Sequence, residues 1–292
     1  MTPKSLSLCM IVKNEERVLS RCLDSVKALD PEIITVDTGS TDTTPAIAAR
    51  FSATVIPFDF TVVDFAAARN QALARATGSW ILVLDADEAL HSASVPLLAQ
   101  LIQKKENAGY FLERLNHRPN EETTTDYVVR LFPNRPEYRY RGRVHETIDA
   151  SILAAKGRLI PSEIRIDHDF SSDPETRCRR NLWYIDILKE EIAADPTDHS
   201  RLEFLAAEYH QLGMFDKATE VAEQIVKLRP LDAQAHLHAG VYHLRFLSNP
   251  QRARACFIEA LRLRPGYVEA QVFLQSTEAE LANRATSTRA GT

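Results

Sequence analysis

Four short apolar runs in the first 90 residues end in polar clusters or turns, and the stretches between them repeat at helical spacing. Leu6 to Val12 reads as a buried strand that runs into Lys13-Asn14-Glu15. Ile33 to Val36 is a second strand, closed by Asp37-Thr38-Gly39-Ser40. Ala53 to Pro57 is a third, and Trp80 to Leu84 a fourth that ends at Asp85-Ala86-Asp87-Glu88. Between the first two, Leu19, Cys22, Leu23, Val26 and Leu29 give residues 16–29 one apolar face. Asp42 can cap a second helix, with Pro45 in its first turn. Ala66 to Ala76 is rich in helix formers and is stopped by Gly78. Strands alternating with helices predict a largely parallel sheet covered on both faces. In such sheets ligands bind beyond the carboxyl ends of the strands. Three polar clusters fall at those ends, so the site is expected there.

The pattern changes further along. Tyr110 to Leu115, Tyr127 to Phe132 and Leu159 to Ile166 read as strands separated by loops rich in Arg, Pro and Asn. From about 174 the chain reads as helical, and Pro196, Pro230 and Pro265 are spaced by 34 and 35 residues. That is the tetratricopeptide period, with a one-residue insertion in the second unit. The expected organisation is a catalytic α/β domain over 1–172, a tetratricopeptide-like all-α domain over 173–284 and a disordered tail over 285–292. With 292 residues and 45% hydrophobic content, both domains have enough material for a core.

A net charge of -5 argues against a general nucleic-acid binder. Cys9, Cys22, Cys178 and Cys256 are scattered without a paired spacing, which reads as reduced thiols. The apolar start is too short for a signal peptide, and no run approaches the ~20 apolar residues of a membrane span. A soluble cytoplasmic protein is expected, with peripheral attachment to the inner membrane face as an option.

Asp85 and Asp87 stand one residue apart beyond an apolar strand. Two carboxylates there suit Mg²⁺ or Mn²⁺, which favour carboxylates together with substrate phosphate oxygens. Asp37, before the Gly39 turn, is placed to accept hydrogen bonds from a base or ribose. The runs Met10 to Glu16, Val36 to Asp42, Ala68-Arg69-Asn70 and Leu82 to Asp87 together resemble the family 2 glycosyltransferases in order and spacing. The resemblance covers about residues 5–170. It implies a GT-A fold, a nucleotide-diphosphate sugar donor, a UDP-sugar first, and inversion at the sugar carbon. A tetratricopeptide tail is a variation known in that family.

Carried over residue by residue, the resemblance assigns Glu15 to the nucleoside, Asp37 to the base and Arg69 to the nucleotide phosphates. Asp85 is assigned to ribose and metal, and Asp87 to metal. Thr38 stands where the family often has a second aspartate and is grouped with the nucleotide site; Lys13 replaces a frequent tyrosine. Glu146, in Gly142-Arg-Val-His-Glu-Thr147, is the candidate general base. His145 is the candidate to orient that carboxylate or to contact phosphate. His168 is the candidate late metal ligand, with Asp169 behind it. Among Arg130, Arg135, Arg139, Arg141 and Arg143, one or two are candidates to grip a diphosphate or an anionic acceptor.

The acceptor expected is a cell-envelope glycan, lipid-linked or not, or a peptide. The helical repeats are expected to contact a protein partner or a second copy. The alternative is a catalytically weak nucleotide-sugar-binding scaffold that recruits a protein. A nucleotidyltransferase or a dinucleotide oxidoreductase fits poorly, because no glycine-rich loop follows the first strand.

Overall fold

The computed structural model describes residues 5–118, 122–169 and 174–290. It divides into two compact units, Met1–Ser172 and Asp173–Thr292.

The first unit is built on an eight-stranded sheet. The expected strands form as β1 (Leu6–Val12), β2 (Glu32–Asp37), β3 (Thr54–Pro57) and β4 (Trp80–Val83). Helices α1 (Leu19–Val26), α2 (Thr44–Arg50) and α3 (Phe65–Arg75) connect them. These four strands pair in parallel, in the order β3-β2-β1-β4. Both faces are covered. Leu6, Leu8, Met10 and Val12 of β1 point into one core with Leu19, Leu23 and Ile47, while Cys9 points into the other with Ala68, Ala72 and Ile152. That alternation is the two-residue period of a strand buried on both sides.

The sheet continues from β4 as β7 (Thr124–Pro133), β6 (Ala108–His117), β8 (Arg158–Asp169) and β5 (Glu88–Leu90). Here β7 runs antiparallel to both β4 and β6, β8 runs parallel to β6, and β5 runs antiparallel to β8. Short helices α4 (Val95–Leu101) and α5 (Asp149–Ala154) complete the unit. The later strands are longer than the apolar runs suggested. Their ends carry polar residues, which are the ones that reach the site. At Gly78, before β4, a side chain would meet the backbone of Leu6 and Ser7 at 2.7 Å, so glycine is required by that close approach.

The second unit is helical throughout: α6 (Pro174–Ala194), α7 (His199–Gln211), α8 (Phe215–Leu228), α9 (Ala233–Arg245), α10 (Pro250–Leu263) and α11 (Val268–Ala290). The starts of α7 and α9, His199 and Ala233, lie 34 residues apart, and those of α8 and α10, Phe215 and Pro250, lie 35 apart. The extra residue sits in the α9–α10 turn, where Ser248 takes a positive φ of 49°. Buried Phe257 of α10 packs so closely on Gly240 of α9 that a β-carbon at 240 would lie 2.5 Å from its ring. The helix α11 runs on into the expected tail as far as Ala290. The last two residues of that tail lie outside the described set. Cys9, Cys22 and Cys256 are buried free thiols, and Cys178 is an exposed one. Among the described residues no helix is long and apolar enough to cross a membrane.

Candidate active site

The site sits at the carboxyl ends of β1, β2 and β4. Two loops build its first wall and latch onto each other. Asn14, at φ 58°, donates its backbone N–H to Ser40 Oγ at 3.0 Å and accepts from the Thr41 N–H at 2.8 Å. The Glu15 N–H donates to Thr44 Oγ1 at 2.7 Å, and Glu16 Oε2 accepts from the Thr43 hydroxyl at 2.7 Å. The N-cap of α2 is Thr43, not the expected Asp42, which stands one residue earlier and accepts from the Thr44 N–H at 2.9 Å in an Asx turn. The Glu15 and Asp37 side chains are left half-buried. Ser40 occupies Asp37 Oδ1 through its N–H at 3.1 Å and its hydroxyl at 2.5 Å. Thr38 is buried, and its N–H and hydroxyl both go to the Val12 carbonyl. Its hydroxyl thus ties β2 to β1 instead of addressing a nucleotide.

Beyond β4 the two aspartates part company. Asp85 Oδ1 accepts from Arg69 Nη2 at 2.8 Å, and Oδ2 accepts from Arg130 Nη2 at 2.5 Å. Arg130 also reaches the fully buried Glu88 at 3.1 Å, and Glu88 accepts from Arg114 at 3.3 Å. Arg114 in turn grips Asp126 with two bonds of 2.8 and 2.7 Å. At the other end, Arg69 Nε donates to Glu146 Oε1 at 2.6 Å. The result is a chain of alternating charge, Glu146–Arg69–Asp85–Arg130–Glu88–Arg114–Asp126.

Burial alone would raise the Asp85 carboxyl, but the Arg130 and Arg69 charges outweigh it and hold Asp85 well below the usual carboxylate range. Burial alone would lower both arginines; the carboxylates beside them outweigh it and hold each above the ordinary guanidinium value. Two guanidiniums on Asp85 oppose a divalent cation at the same carboxylate. The expected metal role of Asp85 does not fit this geometry. About a third of its side chain stays exposed, which leaves lone pairs for a hydroxyl.

Asp87 has different company. The pairing of β5 with β8 sets Glu88 against His168, which brings His168 Nε2 to 3.4 Å from Asp87 Oδ2. On the other side of the ring, Nδ1 lies 2.7 Å from Asn116 Oδ1. Asn116 is buried, and its carbonyl is the end that faces His168. A neutral imidazole that donates from Nδ1 to this carbonyl would present a lone pair at Nε2 towards the Asp87 carboxylate. Two acceptors that face each other fit a cation between them. Among the described residues no three His, Cys, Asp or Glu side chains gather as a metal group. Mg²⁺ and Mn²⁺ commonly take one or two protein ligands and draw the remainder from phosphate and water. Asp169, the reserve ligand, is held by Arg21 at 2.8 Å.

Glu15 faces this acidic corner. Its carboxyl is pushed up to about 7, first by burial and then by the charges of Asp87, Asp85 and Asp42.

Glu146 is carried on a tight loop. Arg141 and Thr147 exchange backbone bonds of 3.0 and 3.1 Å, and the turn between them needs Gly142 at φ 99° and His145 at φ 48°. The loop is pinned from the α3 side. The Asn70 side-chain amide donates to the Tyr140 carbonyl at 3.0 Å and accepts its N–H at 2.9 Å. The Phe65 N–H donates to the Arg143 carbonyl at 2.9 Å, and Arg143 Nε donates to the Val63 carbonyl at 2.9 Å.

The structure therefore brings Glu15, Arg69, Asp85, Asp87, Glu146 and His168 into one electrostatic neighbourhood. Of the arginine run, Arg130 enters it, Arg139 and Arg143 bind nearby carbonyls, and Arg135 and Arg141 are exposed. Sequence reasoning missed Glu88, Asn116 and Asn70 as organisers. For Asn70 the signal was present in the Ala68-Arg69-Asn70 run. For Asn116 and Glu88 it lies in strand register, which carries no local mark.

Residues 7–164 match the family described as Glycosyl transferase family 2. A TPR repeat-containing protein of Synechococcus elongatus is 46% identical over 51% of this chain and 36% of its own length. The SPbeta prophage-derived glycosyltransferase SunS of Bacillus subtilis is 27% identical over 75% of this chain and 51% of its own. The lipopolysaccharide core biosynthesis glycosyltransferase LpsC of Rhizobium meliloti is 35% identical over 35% of this chain and 39% of its own. The chain thus spans about half or less of the length of these curated relatives. A crystal structure of S. aureus TarS in complex with UDP-GlcNAc aligns at 13% identity and a TM-score of 0.49, over 96% of this chain and 92% of that one.

Proposed function

The chain belongs to glycosyl transferase family 2, and from that premise we propose that it transfers a sugar, with inversion, from a nucleotide-diphosphate donor to a hydroxyl-bearing acceptor. The first unit is accordingly a GT-A type α/β domain and the second an all-α, tetratricopeptide-like one. The observation that carries the reading is the division of labour between the carboxylates. Asp85 is neutralised by two arginines, Asp87 lies 3.4 Å from His168 Nε2, and Glu146 sits on the far side of Arg69.

In this reading Asp37, with Oδ1 held by Ser40, offers Oδ2 to an N–H of the base, and uracil is the base we favour. Glu15 stands beside the nucleoside. Asp85 accepts from a ribose hydroxyl through its exposed edge. Asp87 and His168 would hold a Mn²⁺ or Mg²⁺, which supplies charge to neutralise the departing diphosphate. Glu146 takes the acceptor proton as the new glycosidic bond forms and the sugar–phosphate bond breaks, a contribution of roughly 10²–10⁴-fold. Positioning and fixed charge supply the remainder. The acceptor we propose first is a cell-envelope glycan, with a peptide bound through the helical unit as the competing arm. The LpsC name favours the first for the transferase half.

The test is a calorimetric titration with UDP, GDP, CMP and TDP, each with and without Mn²⁺. We expect metal-enhanced binding of UDP that is lost in Asp87→Ala, followed by release of UDP from a UDP-sugar when acceptor is supplied. A folded chain that binds no nucleotide sinks the transferase reading. Tight binding of GDP alone would keep the reaction and replace the donor.

A further inference from the structure

We propose that Arg69 is a positioning residue that couples the donor side of the site to the acceptor side, and is not a ligand of the donor phosphates. This rests on the reading of Glu146 as the general base. The guanidinium is almost closed off, with 8% of its side chain exposed. Its Nε is taken by Glu146 at 2.6 Å and its Nη2 by Asp85 at 2.8 Å. Its carbon lies 5.4 Å from the centroid of the buried Tyr140 ring. Its remaining nitrogen, Nη1, is buried without a hydrogen-bond partner. A phosphate would have to displace a carboxylate or the ring to reach it.

What the geometry offers instead is a rigid link. The fork is planar, and the directions of its Nε–H and Nη–H bonds are fixed relative to each other. Asp85 and Glu146 lie 61 positions apart in sequence and on separate elements, yet one flat group sets their relation. The next residue on the same helix completes the device. Asn70 clamps the backbone of Tyr140 with two bonds, so neighbouring side chains of α3 hold the catalytic loop once by its carboxylate and once by its main chain. When a ribose hydroxyl engages Asp85, any adjustment of that carboxylate is transmitted through Arg69 to Glu146. Occupancy on the donor side thereby aligns the base for the acceptor.

The test uses the full chain and four variants, Arg69→Lys, Asn70→Ala, Glu146→Gln and the Arg69→Lys/Glu146→Gln pair. Nucleotide affinity is read by calorimetry with UDP and Mn²⁺, and turnover by UDP release at saturating donor. For Arg69→Lys we expect nucleotide affinity within about threefold of the parent and kcat lower by about 10²-fold, the pattern of an interaction used in the transition state. Adding Arg69→Lys to Glu146→Gln should cost little more, because both remove the same function. A merely structural role would instead add its full cost in the pair.

Asn70→Ala leaves the charges intact and should show the same split between affinity and kcat, which serves if Arg69→Lys fails to fold. The proposal is overturned if Arg69→Lys weakens nucleotide binding by tenfold or more while kcat at saturation is kept. It is equally overturned if the losses in the pair multiply, or if Asn70→Ala leaves kcat unchanged. A parent chain that turns over no donor at all overturns the transferase reading instead, and the two failures are distinct.

Discussion

Asn116 meets His168 from behind the ring, on the side away from Asp87. Its carbonyl lies 2.7 Å from Nδ1, and a neutral ring that donates to it keeps Nε2 for a cation shared with Asp87. Loss of such a partner commonly costs 10–100-fold in metal affinity. Asn116→Ala should therefore weaken Mn²⁺ binding by about that factor, with little effect on metal-free binding of UDP; electron paramagnetic resonance of free Mn²⁺ reads this directly. Glu15 makes a second prediction at this scale. An unfolded chain gives up its proton near 4.5 and the folded one near 7. Between those values the folded state binds more proton, so the stabilisation is full below about 4.5 and is lost as pH rises towards 7. Glu15→Gln should flatten that window and raise stability above pH 7 by about 1 kcal/mol, screening at this half-exposed position limiting the gain. Urea midpoints at pH 5 and pH 8 give the answer. The residue types of the site were legible because carboxylates at strand ends have few structural uses. Their partners were not: nothing local to Arg69 or Arg130 shows that each will face Asp85 and not a phosphate.

At the scale of elements, β1 to β4 were legible because an apolar run of four to seven residues between turn signals has few other readings. The strand β5 was not, since three residues carry no period. Yet its pairing with β8 is what seats His168 beside Asp87, and the pairing of β4 with β7 brings Arg130 towards Asp85. Register is a property of two strands at once, so a single run cannot disclose it. The repeats were legible through their proline spacing, and the turn around Ser248 shows where the inserted residue went. Within them, Phe257 of α10 is fully buried against Gly240 and stacks on Phe273 at 5.5 Å. Phe257→Ala should cost about 3–5 kcal/mol of helical-unit stability, because the cavity cannot refill from a glycine. Urea unfolding followed by far-ultraviolet circular dichroism checks it. A loss below 1 kcal/mol would mean that the repeat stack relaxes into the space.

For the whole molecule, the two units each hold one tryptophan: Trp80, almost wholly buried in β4, and Trp183, 42% exposed on α6. A ligand that binds only the folded state stabilises it by mass action. UDP with Mn²⁺ at a hundred times its dissociation constant should add about 2.7 kcal/mol. Emission from Trp80 should report this as a higher urea midpoint, and a midpoint that does not move would contradict nucleotide binding in the first unit.

The alternating chain from Glu146 to Asp126 also bears on how such a sequence can change over generations. Removing one member of a buried charge pair strands its partner at a cost of about 3–5 kcal/mol, a large part of a typical margin of stability. Drift at Arg69, Asp85, Arg130 or Glu88 taken singly is thus closed off, whichever sugar or acceptor is selected. Descendants inherit the four as a block, and a new specificity has to be found in loops that touch none of them.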